Sequence, residues 1–167
     1  DTVLFLVSGG GSALFEVPLP GISLKDIENL NREMLASGAG IVEINTLRKR
    51  FSSVKGGRFA LHCAPASVCQ ITLSDVIGNR MDTIASGPAV PDMTTCAEAA
   101  AIIKRYGIKL PDIMKEYLKT ETPKELSNVR TVICGSSAEL CLAAKKAAES
   151  LGYNAFIISS KVECEAR

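Results

Sequence analysis

Apolar positions along this chain fall alternately into short continuous runs and into stripes at helical spacing. Thr2–Val7 is an apolar run of the kind a strand buried on both faces carries, and it empties into Ser8-Gly9-Gly10-Gly11-Ser12. Pro18-Leu19-Pro20-Gly21 predicts a turn. Ser23 with Asp26 three residues later predicts a helix start, the helix running to about Ser37 and stopping at Gly38. Ile44, Leu47, Phe51 and Val54 predict a second helix over about Val42 to Leu61, its last turn weakened by Gly56-Gly57. Val68–Leu73 predicts a strand. Thr95 with Glu98 opens an alanine-rich helix that Gly107 ends, and Pro111–Leu118 is a shorter one. Val129–Cys134 predicts a strand, Ser136–Leu151 a helix closed by Gly152, and Ala155–Ser159 a last strand.

Strands alternating with helices imply an α/β fold with a mostly parallel sheet covered on both faces. In such sheets ligands bind beyond the carboxyl ends of the strands, so chemistry is expected in the loops after Val7, Leu73 and Cys134. With 167 residues the chain is expected to form one domain. Its 47% hydrophobic and 22% charged residues exclude a disordered chain. A net charge of +1 gives no pull toward nucleic acid or a membrane surface. No apolar run approaches the roughly 20 residues a membrane-spanning helix needs. The first residues lack the basic region and cleavage pattern of a signal peptide. Six cysteines without a C-x-x-C pair predict reduced, mostly buried thiols rather than a zinc or redox site, and hence a cytoplasmic protein.

Four segments carry candidate chemistry. In Ser8, Gly9, Gly10, Gly11 and Ser12 the glycines let backbone N–H groups approach a phosphate or carboxylate, and the serines add hydroxyl donors. No Gly-Lys-Ser/Thr follows, so this is not a Walker A loop, and the spacing is not that of a dinucleotide fingerprint; a tight structural turn is the competing reading. The second segment lies within Ile44–Ser74, which has no acidic residue, while five Lys/Arg fall between Arg48 and Arg58. On a continuous helix Asn45, Arg48, Ser52 and Lys55 fall within about 80° of one another, beside the apolar seam, with Lys49 and Arg50 pointing elsewhere. This stripe is expected either to face an anion-binding cleft or to be a solvated basic face.

The third segment places Asp75 at a strand's carboxyl end, where a magnesium ligand or general base belongs, and continues through Ala85-Ser86-Gly87-Pro88. A stretch this long without periodicity suggests a functional loop. Asp82 and Asp92 read more as braces of that loop. The fourth is Cys134-Gly135-Ser136-Ser137, a strand–glycine–helix junction with free N–H groups, where Ser136 or Ser137 reads first as an N-cap.

Taken together, S-G-G-G-S-A (Ser8–Ala13), E-I-N-T-L-R-K-R-F-S-S-V-K-G-G-R (Glu43–Arg58), L-S-D-V-I-G (Leu73–Gly78) and A-S-G-P-A-V-P-D (Ala85–Asp92) resemble, in order and spacing, the MOFRL-associated glycerate kinase family. The likeness runs on through Leu151–Tyr153 to Glu165–Arg167. It implies a three-layer α/β/α Rossmann-like domain, ATP and Mg2+ as cofactors, and D-glycerate converted to 2-phosphoglycerate. A hydroxypyruvate reductase, a label some members have carried, and a non-catalytic sugar-acid or phosphate-binding module are the alternatives.

On that resemblance Asp75, Lys55 and Arg48 are the expected catalytic residues, with Asp75 also the expected metal ligand. Ser8, Gly9, Gly10, Gly11, Ser12, Asn45, Ser86, Gly87 and Gly135 are the expected substrate- and nucleotide-binding residues. Partners are expected to be D-glycerate, ATP and, for assembly, a second copy in a homodimer. Members of the family are longer, with an amino-terminal Gly-Lys segment and a carboxyl-terminal MOFRL domain. Residues 1–167 are therefore expected to be a central part of the amino-terminal domain and inactive alone. Cys164 stands where the family has glycine.

Overall fold

A computed structural model describes residues 1–162 except 75, 77 and 79. Three parallel strands, β1 (Thr2–Val7), β2 (Ser67–Leu73) and β3 (Val129–Gly135), form a sheet in the order β1-β2-β3. Thr2 pairs with Ser67 and Val7 with Thr72 across the first ladder, and Val68 pairs with Val129 across the second. The three carboxyl ends therefore lie side by side. The ladder between β2 and β3 slips after Thr72, so Leu73 meets Gly135.

Alternation along the strands turns Val3 and Phe5, Val68 and Gln70, and Val129 to one face. Here α4 (Arg58–Cys63) packs, burying Ala60 with Val68 and Ala89. The rings of Phe5, Phe15 and Phe59 close the cluster with centroids 4.5–5.5 Å apart. A second core belongs to the helices: Leu30 and Met34 of α2 (Leu24–Ala36), Leu47 and Phe51 of α3 (Ile41–Phe51), Ile102 of α5 (Cys96–Tyr106) and Met114 of α6 (Asp112–Tyr117). Each such side chain contributes about 2 kcal/mol by leaving water. A four-residue helix α1 (Gly11–Leu14) follows β1, and α7 (Ser137–Ser150) follows β3.

The predicted caps are present. Ser23 and Asp26, and Thr95 and Glu98, each exchange side-chain and backbone bonds as full capping boxes, while Gly107 ends α5 at φ 63°. Three expectations are corrected. The single helix over 42–61 is broken: α3 ends at Phe51, Ser52 is extended and bridges Pro18, and Gly56 and Gly57 take left-handed φ of 56° and 84° before α4 begins. Residues 155–159 form no strand, because an apolar run needs a ladder partner to satisfy its backbone, and Phe156 and Ile158 are exposed. The five described cysteines are free, four half-buried and Cys134 exposed, so the expectation of mostly buried thiols does not hold for them. No helix among the described residues is long and apolar enough to cross a membrane.

Candidate active site

At the carboxyl edge of the sheet the loops after β1, β2 and β3 surround a cavity of about 700 Å³. Gly9, Ser74, Gly135, Ser136 and Ser137 line it. Ser74 N–H donates to the Gly135 carbonyl at 2.9 Å, joining two of the loops. A Cβ on Gly135 would stand 2.6 Å from Leu73 Cδ1, the free end of an exposed side chain that can move aside. Ser136 is the N-cap of α7, its hydroxyl accepting from the Glu139 N–H at 3.4 Å. Ser8, Gly9 and Gly10 are exposed, and Gly10 holds φ 80°. Asp75 lies outside the described residues.

The other side of the Gly9–Ser12 loop is fastened from below. Lys55 is fully buried, and its Nζ donates to the carbonyls of Ser12 at 2.8 Å and Phe15 at 2.7 Å, with Glu16 at 3.6 Å. Burial pushes the Lys55 pKa down, and the Glu16 carboxylate opposes that shift. Lys55 is thus committed to shaping the glycine loop. Its place does not come from a helical stripe with Arg48, because α3 has ended before it. Arg48 is half-buried, its Nε donating to Asn31 Oδ1 at 2.8 Å, and burial likewise lowers its pKa against Glu16. Glu16, the one acidic residue between Asp1 and Asp26, therefore pairs with Lys55 and acts on Arg48 through its field alone. Its isolation in the sequence was the signal available to find it.

Asn45, Ser52, Ser86 and Gly87 are all buried. Ser86 Oγ donates to Asn45 Oδ1 at 3.1 Å and reaches Ser12 Oγ at 3.3 Å. Three candidates from separate segments therefore meet at one point. Ala85 and Ser86 carry φ of 50° and 61°, a left-handed conformation costing about 1–3 kcal/mol at each non-glycine residue. Gly11 touches this turn, where an added Cβ would lie 3.1 Å from Ala85 Cβ. The turn is held by Gly56 N–H donating to Ser86 O at 3.1 Å and Gly57 N–H to Gly87 O at 2.8 Å. Strain kept up by surrounding bonds is a mark of functional sites.

Lys49, expected to be solvated, and Arg50, expected to diverge from the stripe of Arg48 and Lys55, are both buried. Lys49 is 2% exposed, with Nζ 3.3 Å from Asp92 and 3.8 Å from Asp82. Arg50 is fully buried and donates to the carbonyls of Thr94 and Thr120 and to Glu121. Asp92 is also fully buried, as the brace expected of it, accepting from Thr94 and Thr122.

Residues 1–119 match the family described as Domain of unknown function (DUF4147). The chain belongs to that family. It is 52% identical over all its 167 residues to a D-glycerate 2-kinase of Thermotoga maritima, covering 40% of that protein. It is 41% identical to a glycerate 2-kinase of Pyrococcus horikoshii, again over the whole chain and 40% of the relative. The crystal structure of a glycerate kinase from Thermotoga maritima superposes with a TM-score of 0.88 at 52% identity, covering 95% of this chain and 38% of that one. The DUF4147 chain thus spans about two fifths of the length of these relatives.

Proposed function

We propose that this chain is the central part of the amino-terminal domain of a cytoplasmic D-glycerate 2-kinase, which phosphorylates the substrate's C2 hydroxyl with ATP. The observation that carries the reading is the meeting of the β1, β2 and β3 loops around one cavity, where Gly9, Ser74, Gly135, Ser136 and Ser137 stand beside an apolar wall of Leu73, Leu140 and Ala143, in a chain whose relatives bear that activity in their names. Backbone N–H and hydroxyl donors converging on a concave site suit anionic oxygens.

Phosphoryl transfer needs positioning and charge neutralisation more than covalent chemistry from the protein. Ser8–Ser12 and Gly135–Ser137 hold anionic oxygens of substrate or nucleotide. Arg48, which does not line the cavity, would act on the bound anion through its charge from α3, and Lys55 keeps the glycine loop in shape. Ser86 and Gly87, locked through Asn45, close the cleft from the side of α3. ATP, when bound, supplies the transferred group. A bond forms between the C2 oxygen and phosphorus, the bond from phosphorus to the ADP oxygen breaks, and the hydroxyl proton passes to the Asp75 carboxylate. Among the described residues no three His, Cys, Asp or Glu side chains gather to cage a metal. Mg2+ takes one or two carboxylates together with phosphate oxygens; Asp75, next to the cavity-lining Ser74 in sequence, would hold it as the alternative to accepting the proton.

The test is ADP release by the complete protein with and without D-glycerate. Turnover that depends on D-glycerate supports the kinase. NAD(P)H consumption with hydroxypyruvate and no ADP release would replace it with an oxidoreductase, and glycerate binding without turnover with a binding module.

A further inference from the structure

At the base of the turn that presents Ser86 one ammonium group faces two carboxylates, Asp92 being held also by the Thr94 and Thr122 hydroxyls and Asp82 also by Arg80 at 2.9 Å. Lys49 Nζ stands between Asp82, at 3.8 Å, and Asp92, at 3.3 Å. These two carboxylates flank Ala85, Ser86 and Gly87, whose φ values of 50°, 61° and 64° form a run of left-handed residues. Feet and tip are in contact, for a Cβ on Gly87 would lie 3.2 Å from the Asp82 carbonyl oxygen. Gly56 threads through the gap: a Cβ there would lie 3.2 Å from Lys49 Cβ and 3.5 Å from Asp92 Cβ, and its N–H holds the Ser86 carbonyl. The Lys49 side chain is only 3% exposed and that of Asp92 fully buried. Desolvated charges of this kind stay buried only when paired.

We infer that Lys49 is a positioning residue for this site, pinning Asp82 and Asp92 together so that the left-handed turn sets Ser86 against Ser12 and Asn45. A two-legged clamp on a loop constrains its tip more than either leg alone, because closing the loop at its base removes the conformations that would let the turn relax. The side chain reaches Ser86 only through the loop and takes no part in the reaction itself. This inference rests on the proposed kinase site.

The experiment uses the complete enzyme, assayed for D-glycerate-dependent ADP release well below each variant's melting temperature and normalised to the folded fraction. Lys49→Met is expected to lower kcat/KM at least tenfold, and Lys49→Arg to recover most of that loss. Ser86→Ala is also expected to lower kcat/KM. If Lys49 acts through Ser86, the double variant falls within about threefold of the worse single variant. Losses that multiply, or a Lys49→Met enzyme with full activity while Ser86→Ala is impaired, overturn the clamp and leave the site standing. Wild-type kcat/KM in both single variants overturns the site and the clamp with it. Should Lys49→Met fail to fold, Asp82→Asn keeps the buried Lys49–Asp92 pair and removes one leg, with Arg80→Ala as the control for the Arg80–Asp82 pair that it also breaks. It is then expected to lower kcat/KM by a fewfold, without adding to Ser86→Ala; an Asp82→Asn enzyme at wild-type activity overturns the clamp.

Discussion

At the scale of single residues, the chemistry of the loop after Leu73 is controlled by charges with almost no contact with water. Burial pushes the Asp92 carboxyl up, but the Lys49 ammonium and the hydrogen bonds from Thr122 and Thr94 carry it below the ordinary carboxylate value. A group with a depressed folded pKa adds stability above its unfolded value, near pH 4, and loses it as the pH falls through the folded value. Asp92→Asn is therefore expected to cost about 3 kcal/mol at neutral pH and to make the loss of stability below about pH 4 shallower, both read from urea unfolding across pH. Arg48 differs, since it is half-buried and hydrogen-bonded to Asn31. Arg48→Ala in the complete enzyme is expected to lower kcat/KM at least tenfold, as the loss of about 1.5 kcal/mol or more of charge-assisted contact requires. A loss matched by unfolding would instead assign Arg48 to structure. The basic character of Arg48–Arg58 was legible in the sequence, but the partners were not. Glu16, Asp82 and Asp92 lie far away along the chain, and only the folded backbone brings them to Lys55 and Lys49.

Local signals fared best at the scale of elements, wherever a cap and a period agreed. The α2 and α5 helices start at serine and threonine boxes that close within four residues, and β1, β2 and β3 follow their apolar runs. The break after Phe51 was hidden because its causes are distant: Ser52 bridges Pro18, and Lys55 turns inward to the Ser12 and Phe15 carbonyls. Those contacts outweigh the helical period that Val54 continues. The glycine loop offers a test at this scale. Gly10 holds φ 80°, and a Cβ there would meet nothing within 4 Å. Gly10→Val thus meets backbone strain of about 1–2 kcal/mol but no clash. Its branched side chain would stand in the exposed loop beside the cavity. A fall in melting temperature of a few degrees is expected, with a larger loss of affinity for nucleotide or D-glycerate measured by calorimetry. Unchanged affinity in the folded fraction would make the loop a structural turn.

Across the whole molecule, the sheet is covered unequally. The face carrying Phe5 and Val68 packs on α4 and Ala89, whereas Leu4, Leu6, Leu73 and Val132 on the opposite face are 42–66% exposed. Parallel sheets are ordinarily buried on both faces, and apolar side chains exposed as one patch drive association. Leu140 and Leu142 of α7, with Phe156 and Ile158 beyond it, are also exposed. The relatives are more than twice this length, the chain covering 40% of them, so their further segments are available to cover such surfaces and to complete the cleft. A polypeptide of residues 1–167 alone is therefore expected to bind a hydrophobic dye, to self-associate at micromolar concentration, and to release no ADP with D-glycerate. Leu4→Lys with Leu6→Lys should reduce both dye binding and self-association, because charge on that face opposes contact between copies. Sedimentation and dye fluorescence on both polypeptides test the surface, and the coupled assay tests the chemistry. A monodisperse, dye-silent 1–167 would show that α7 and the segment after it cover the open face in solution. Turnover at the rate of the complete enzyme would place every group needed for catalysis within these 167 residues.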